Sequence, residues 1–197
     1  MRARTLSLLL LAVVPPPGTA AAQWSLAPEL GIVNFGRSAR DTSAGLDLGP
    51  SSGTAFGFRV GHQRGRWGIT LRLRYGATGL AATDGDLTVI QEHTFKLYDI
   101  SSVVTWRLAG FGPAAMVQAE AGPVLSVWKA SSGENRTRGG ASAALALRID
   151  MTPRYFVSIR GEGGISPSVF DVVDLPASVV RRTPWRRGMA IEVGRRW

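Results

Sequence analysis

Eight segments of the chain alternate between apolar residues and small or polar residues with a period of two. In the clearest, residues 67–75, every second residue is apolar or aromatic, and Gly, Thr or Arg lies between. Side chains of a β-strand point alternately to opposite faces, so the pattern predicts strands with one apolar face. The predicted strands are 24–35, 54–63, 67–75, 94–108, 114–128, 140–150, 154–164 and 186–197. Their lengths lie around the ~9–11 residues that a tilted strand needs to cross a bilayer.

The connections between these segments alternate in length. Residues 36–53, 76–93 and 165–184 form long connections and 129–139 an intermediate one, whereas 63–66, 109–113 and 151–153 are short. This alternation predicts an up-and-down barrel with both chain ends and the tight turns at one end. Within the fifth segment, Gly122 and Pro123 predict a bulge or bend.

The first 22 residues have the pattern of a secretory signal peptide. Arg2 and Arg4 precede a short apolar run, and Ala20 to Ala22 supply the small residues before a cleavage site. The apolar run is too short for a spanning helix. We therefore expect two parts, a signal peptide at 1–22 and one β-barrel domain at 23–197.

The last segment alternates strictly and ends on Trp197. It resembles the C-terminal strand of bacterial outer-membrane β-barrels, which ends in an aromatic residue and is read by the barrel-assembly machinery. In that family the last residue is most often Phe and the third from the end is usually apolar or aromatic, whereas this chain has Trp197 and Arg195.

The resemblance extends over residues 23–197, to the small OmpA-like outer-membrane barrel superfamily. It implies an all-β fold, an eight-stranded antiparallel up-and-down transmembrane β-barrel. It also implies a location in the outer membrane, contact with outer-membrane lipids, and recognition by the assembly machinery. Small barrels of this superfamily act as envelope-stabilising or adhesive proteins or as narrow carriers, and a few are lipid-modifying enzymes.

Alternation alone does not decide which face is inside. Because the polar face is mostly Gly, Ala and Ser interrupted by Arg and acids, we interpret it as a narrow lumen in which opposite charges pair. The predicted lumen charge network is Glu29, Arg59, Arg72, Arg74, Asp99, Arg107, Glu120, Arg148, Arg160, Glu162 and Glu192. Six positive charges then oppose five negative ones. The alternative is a soluble periplasmic barrel or sandwich, lipocalin-like, with the apolar face inward around a hydrophobic ligand.

All six tryptophans lie at the ends of predicted strands, where amphipathic rings rest among lipid headgroups. The five on the apolar face, predicted to be interfacial, are Trp24, Trp67, Trp106, Trp185 and Trp197. Trp128 has the opposite parity. It predicts either a register change near Gly122 and Pro123 or a ring that caps the lumen.

Composition narrows the function classes. The chain has no cysteine, so disulfides and thiolate metal sites are excluded. Its formal net charge is +9, but the arginines are spread along strands and the chain is exported, so we expect anionic lipid rather than nucleic acid as the counterpart. We expect no cofactor and no metal, and we expect a monomer.

Catalysis would require convergent side chains. His62 ends the second strand on the apolar face, where an interfacial role is expected. His93 has Glu92 beside it and Ser101 and Ser102 in the following strand, so a Ser/His/Glu lipid hydrolase is the alternative. Adjacent residues of a strand point apart, so we expect no enzyme. The sequence Asp84-Gly85-Asp86 lacks the further ligands of a calcium loop.

The last long connection is unusually apolar and basic. Its apolar residues are Phe170, Val172, Val173, Leu175, Val179 and Val180. They indicate either an extended hairpin or a surface for a hydrophobic ligand or partner. Candidate contacts to anionic lipid, including lipopolysaccharide phosphates, are Arg181, Arg182, Arg186 and Arg187. The first long connection, with Asp41 and Asp47, indicates a solvated loop. We therefore expect a plugged barrel with a structural or surface-binding role at the long loops.

Overall fold

The alternating segments form β-strands throughout the computed structural model, which describes residues 23–112, 114–171 and 175–197. The strands are β1 (Gln23–Phe35), β2 (Ala39–Asp41), β3 (Asp47–Pro50), β4 (Gly53–Arg64), β5 (Trp67–Asp84), β6 (Leu87–Phe111), β7 (Ala115–Ala130), β8 (Asn135–Asp150), β9 (Tyr155–Ile165), β10 (Val179–Arg181) and β11 (Trp185–Arg196). Over these ranges, no helix is long and apolar enough to cross a membrane. The predicted signal peptide, Val172 and Val173 lie outside the described residues.

Eight strands close into a ring of antiparallel neighbours, in the order β1, β4, β5, β6, β7, β8, β9 and β11. The first and last strands complete the ring, with Leu30 opposite Ile191. The backbones of Trp24 and Trp197 also bond to each other in both directions, at 3.2 and 3.1 Å. Closure leaves no sheet edge along the ring. The predicted eight-stranded antiparallel up-and-down barrel is confirmed.

The two ends of the barrel differ in size. Gln23, Trp197 and the tight turns lie at one end, hereafter the tight-turn end; there Gly65, with φ of 60°, allows the turn between β4 and β5. The other end, hereafter the loop end, continues beyond the ring. At this end β3 pairs with residues 80–83 of β5, β2 pairs with β3, and β10 pairs with β2, so that these short strands extend the sheet.

The connection at residues 76–93 is not the predicted long loop. The pairing of β5 with β6 extends to Asp84 and Leu87, with one bulge between Thr78 and Leu80. Gly85 turns the chain at the tip of this hairpin. The prediction was wrong because it ended both strands where the regular apolar alternation stops. Backbone pairing of a hairpin does not require that alternation.

The predicted register change at Gly122 and Pro123 is also wrong. The pairing of β7 with β6 keeps one offset from Leu125 through Ala121. The shift lies at the tight-turn end of β6, between Arg107 and Ala109.

Candidate functional site

The outer surface of the ring is apolar around its circumference. Large hydrophobic side chains on this surface point away from the barrel, among them Leu30, Phe58, Leu71, Ile100, Leu145, Ile159 and Ile191. Adjacent strands contribute them in matching rows because antiparallel neighbours share faces. This surface is suited to hydrocarbon rather than to water.

The five tryptophans predicted to be interfacial all point outward. Four lie at the tight-turn end, where the rings of Trp67 and Trp106 stack with their centroids 5.0 Å apart and Trp24 contacts the His62 ring at 4.7 Å. Trp197 belongs to the same end, next to Trp24. Trp185 lies at the loop end.

The lumen contains a connected network of five arginines and five carboxylates. Its members are Arg59, Arg72, Arg74, Arg160 and Arg186 with Glu29, Asp99, Glu120, Glu162 and Glu192. We call this set the lumen network. Each member comes from the inward-facing parity of its strand, and the formal charges cancel.

Towards the tight-turn end, Arg59 and Arg160 link five strands of the barrel, β1, β4, β7, β9 and β11. The Arg59 guanidinium donates to Glu192 at 2.5 Å and to Glu120 at 2.6 Å. Arg160, only 2% exposed, donates to Glu29 at 2.5 Å and lies 3.0 Å from Glu192. Arg160 and Glu192 lie on the neighbouring strands β9 and β11, whereas the other three pairs bridge strands that are not neighbours in the sheet and so fasten the barrel across its interior.

Glu162 on β9 joins two arginines of β5, the strand diametrically opposite. Arg72 donates to Glu162 at 2.5 Å through Nη1 and to Glu29 at 2.7 Å through Nε. Arg74 donates to the other oxygen of Glu162. One carboxylate therefore neutralises adjacent inward positions of the facing wall.

Asp99 on β6 receives donors from three sides. Arg74 approaches at 2.7 Å, Arg186 at 2.8 Å, and the Ser126 hydroxyl donates at 2.5 Å. With both oxygens satisfied inside the barrel, this carboxylate can remain ionised without water.

The lumen charge network predicted from the sequence differs from the observed lumen network at three positions. Arg186, assigned from the sequence to anionic lipid, is buried in the lumen, so that prediction is wrong. Arg148 faces inward but pairs with Asp150 at 3.0 Å near the tight-turn end. Arg107 is half-buried and makes no ion pair with any residue in the described ranges. The sequence signal that could have placed Arg186 is the period of two along the strand. Arg186 lies six residues before Glu192, so both side chains point to the same, inward face of β11.

An aromatic cap closes the lumen at the loop end. Trp128, 4% exposed, packs with Phe95, Leu97 and Val169, and Phe35 and Phe170 cover this group. Of the two outcomes predicted for Trp128, the ring that caps the lumen is correct. Part of the last long connection therefore packs into the mouth of the barrel. This differs from both predicted roles, an extended hairpin and a surface for a hydrophobic ligand or partner.

The tight-turn end of the lumen holds a small polar cavity of about 40 Å³, lined in part by Gln63, Gln118 and Ser158. That volume suits one or a few water molecules rather than a substrate. Beside it the Arg148 guanidinium lies 3.7 Å from the centre of the Phe156 ring. Among the residues that the structure describes, side chains therefore fill the lumen from this cavity to the aromatic cap.

The residues weighed for hydrolysis do not converge. His93 is exposed, with φ of 58°, and its Nδ1 lies 3.9 Å from Glu92. Ser101 faces the lumen, eight residues along the strand, which corresponds to about 26 Å. Ser102 faces outward. Within the described ranges, His, Asp and Glu form no cluster of three or more that could hold a metal.

The long connections form an ion-paired layer above the cap. Asp47 is buried, against the expectation of a solvated loop, and pairs with Arg37 at 2.6 Å and Arg182 at 3.6 Å. Asp41 is half-buried, and hydrogen bonds from the Ser43 hydroxyl and amide lower its pKa.

The basic residues of the last connection are placed differently from one another. Arg181 reaches Asp171 at 4.0 Å and remains half exposed, as does Arg182. Arg187 points outward from β11, with its guanidinium 5.1 Å from the centre of the Trp185 ring. Arg181, Arg182 and Arg187 therefore stay available at the loop end.

Comparison with solved structures gives the same architecture. The outer-membrane protein OprG from Pseudomonas aeruginosa matches with a TM-score of 0.60 at 10% identity, covering 91% of this chain and 98% of that one. This chain has the fold of the small outer-membrane β-barrels. Neisserial surface protein A matches with a TM-score of 0.53 at 13% identity, over 90% and 98% of the two chains.

A third match is Ail, the attachment invasion locus protein of Yersinia pestis, solved in complex with the heparin analogue sucrose octasulfate. Its TM-score is 0.51 at 12% identity, over 90% of this chain and 100% of that one. No family model and no curated protein matches the sequence.

Proposed function

We propose that residues 23–197 form a monomeric, non-enzymatic barrel of the bacterial outer membrane, with a closed lumen and a structural or surface-binding role. One observation carries the membrane assignment: the apolar side chains of the closed ring point outward, and the charges point inward into a balanced network. A surface of this kind is stable only against lipid or detergent. The fold shared with OprG and Neisserial surface protein A supports the same location.

The soluble lipocalin-like alternative requires the opposite arrangement. A hydrophobic ligand would have to occupy an apolar interior, but the interior holds the lumen network and the exposed face holds Phe56, Leu73 and Ile191. Export through a cleaved leader at 1–22 and assembly through the last strand belong to the same proposal, since membrane barrels reach the outer membrane by that route.

Surface binding is assigned to the loop end because the lumen offers no space for a ligand. There the hairpin tip of β5 and β6 exposes Leu87, Val89 and Ile90, and Arg181 and Arg182 present positive charge. We assign to these arginines, with Arg187, contacts to an anionic surface ligand or to lipopolysaccharide.

The membrane assignment is tested by refolding residues 23–197 into detergent and, in parallel, into plain buffer. The unboiled protein is expected to migrate faster than the boiled protein on a gel only after folding in detergent, because a closed barrel stays compact in the gel. Folding in buffer as a soluble monomer would contradict the proposal.

The surface role is tested on the detergent-folded barrel with immobilised heparin, a probe suggested by the sulfated ligand of the Ail structure. The variant Arg181→Gln/Arg182→Gln is expected to bind more weakly, because two charges at the loop end are lost. Arg154→Gln/Arg195→Gln removes two exposed charges at the opposite end and serves as the matched control. Equal binding by both variants would remove the loop arginines from this role.

A further inference from the structure

The only two lysines of the chain lie side by side on the outer surface. Lys96 on β6 and Lys129 on β7 are directly opposite in register, and both side chains are exposed. Side chains of such cross-strand partners start about 5 Å apart, and like charges in these positions are destabilising. The pair therefore favours a shared anion.

No carboxylate of the described ranges neutralises this pair. Lys96 makes no ion pair or hydrogen bond there, and Lys129 has only the Tyr98 ring, with its ammonium nitrogen 5.5 Å from the ring centre. Asp99, three residues after Lys96 on β6, points into the lumen and is already paired with Arg74 and Arg186. The two ammonium groups are thus left for a ligand outside the chain.

An apolar groove begins directly below the lysines on the same outer face. It has a volume of about 300 Å³ and runs over β4, β5 and β6, between Phe56, Phe58, Leu73, Tyr75, Tyr98 and Ile100. Its upper edge is a row of rings in edge or tilted contact, Phe56 with Tyr75 at 5.2 Å and Tyr75 with Tyr98 at 5.1 Å.

The height of the groove matches a lipid. Tyr98 lies eight residues from Trp106, which is about 20 Å along the barrel axis for a strand tilted by about 40°. That separation approaches the apolar band of a membrane barrel, about 25 Å tall between its aromatic girdles. With Trp67 and Trp106 marking one girdle and Tyr75 and Tyr98 the other, Lys96 and Lys129 fall at the headgroup level of the loop-end leaflet.

We propose that this surface is a specific site for an anionic, phosphate-bearing lipid. The phosphate lies between the Lys96 and Lys129 ammonium groups, which bind it as paired point charges. An acyl chain of the same lipid occupies the groove beneath Tyr98. The inference rests on the membrane location proposed above, and it adds the lipid class and the residues.

The test is native mass spectrometry of the detergent-folded barrel with phosphatidylglycerol or with phosphatidylcholine of identical acyl chains. The wild-type barrel is expected to retain phosphatidylglycerol about 30-fold more strongly than phosphatidylcholine. This ratio corresponds to the usual electrostatic attraction of one lysine to an anionic headgroup, counted for two lysines. Lys96→Gln/Lys129→Gln is expected to lose this preference. The control Arg154→Gln/Arg195→Gln, which changes the same number of exposed charges at the tight-turn end, is expected to keep it.

Two controls distinguish a lipid site from a simple phosphate site, and failure of the proposed site from failure of the proposed membrane location. Soluble glycerol phosphate at the lipid concentration is expected not to be retained, and its retention would replace the lipid site by a simple phosphate site. Each variant is first checked for the faster gel migration of a folded barrel. A folded wild-type barrel without lipid preference overturns this inference alone, whereas no folding in detergent overturns the membrane location and the site with it.

Discussion

Arg186 of β11 donates a hydrogen bond to Asp99 of β6 at 2.8 Å, across the full width of the barrel. The two strands occupy opposite positions in the ring of eight. Their side chains meet because the lumen is narrow enough for one arginine to span it. The neighbouring arginine, Arg187, points to the outside. Two adjacent, chemically identical residues thus have unrelated roles.

The first prediction uses this adjacent pair. Arg186→Gln is expected to destabilise the folded barrel by about 2 kcal/mol, because a hydrogen bond to a buried carboxylate is lost while Asp99 stays in place. Arg187→Gln is expected to change stability by less than about 0.5 kcal/mol, as is usual for an exposed site. Urea unfolding of both variants in lipid, followed by tryptophan fluorescence, measures the difference. Equal midpoints would contradict the inward placement of Arg186.

The second prediction separates two arginines that the sequence treats alike. Arg59 is fully buried and paired with Glu120 and Glu192, so Arg59→Gln leaves two carboxylates short of a partner and is expected to destabilise by about 3–5 kcal/mol. Arg107 has no such pair among the residues that the structure describes, and Arg107→Gln is expected to fall within about 1 kcal/mol of the wild type. The same unfolding assay applies. A larger loss for Arg107 would place it inside the network.

The third prediction concerns two glycines. A Cβ at Gly194 would lie 2.0 Å from the Phe156 ring, whereas a Cβ at Gly161 meets nothing within 4 Å. Gly194→Val is expected to reduce stability by about 1–3 kcal/mol through overpacking of the lumen. Gly161→Val is expected to be tolerated. The double variant Gly194→Val/Phe156→Ala is expected to refold better than Gly194→Val alone, as scored by the fraction of the fast-migrating gel form; absence of rescue would show that the ring is not the obstacle.

The fourth prediction separates the aromatic cap from the lumen network. Trp128→Ala removes the centre of the cap and is expected to destabilise by about 3–5 kcal/mol, the usual effect of a large-to-small core change. It is not expected to open a pore, because Arg59, Arg74 and Arg160 still cross the lumen below. Single-channel recording in a planar bilayer measures this. Steady conductance of the variant would show that the cap alone closes the barrel.

The alternation of apolar and polar residues was sufficient to predict the number of barrel strands and the side chains that point outward from each strand. In residues 67–75 the side chains alternate so regularly that the outward set follows from backbone geometry alone, and the tight turns at Gly65 and near residue 152 follow from the short connections. The same pattern failed for residues 76–93. There the pairing of β5 with β6 continues through backbone bonds, which leave no trace in side-chain alternation.

The sequence by itself determined that the arginines and acids of the polar parity share one face of their strands, because side chains alternate with a period of two. Only the tertiary structure decided which of them meet. Arg59 and Glu192 are 133 positions apart, and Arg74 and Asp99 are 25 apart. Their contacts depend on the stagger of eight strands around the ring, which sets the height of each inward residue in the lumen. That stagger comes from closure of the whole sheet, so it placed Arg186 within the network and left Arg107 outside it, although both face inward.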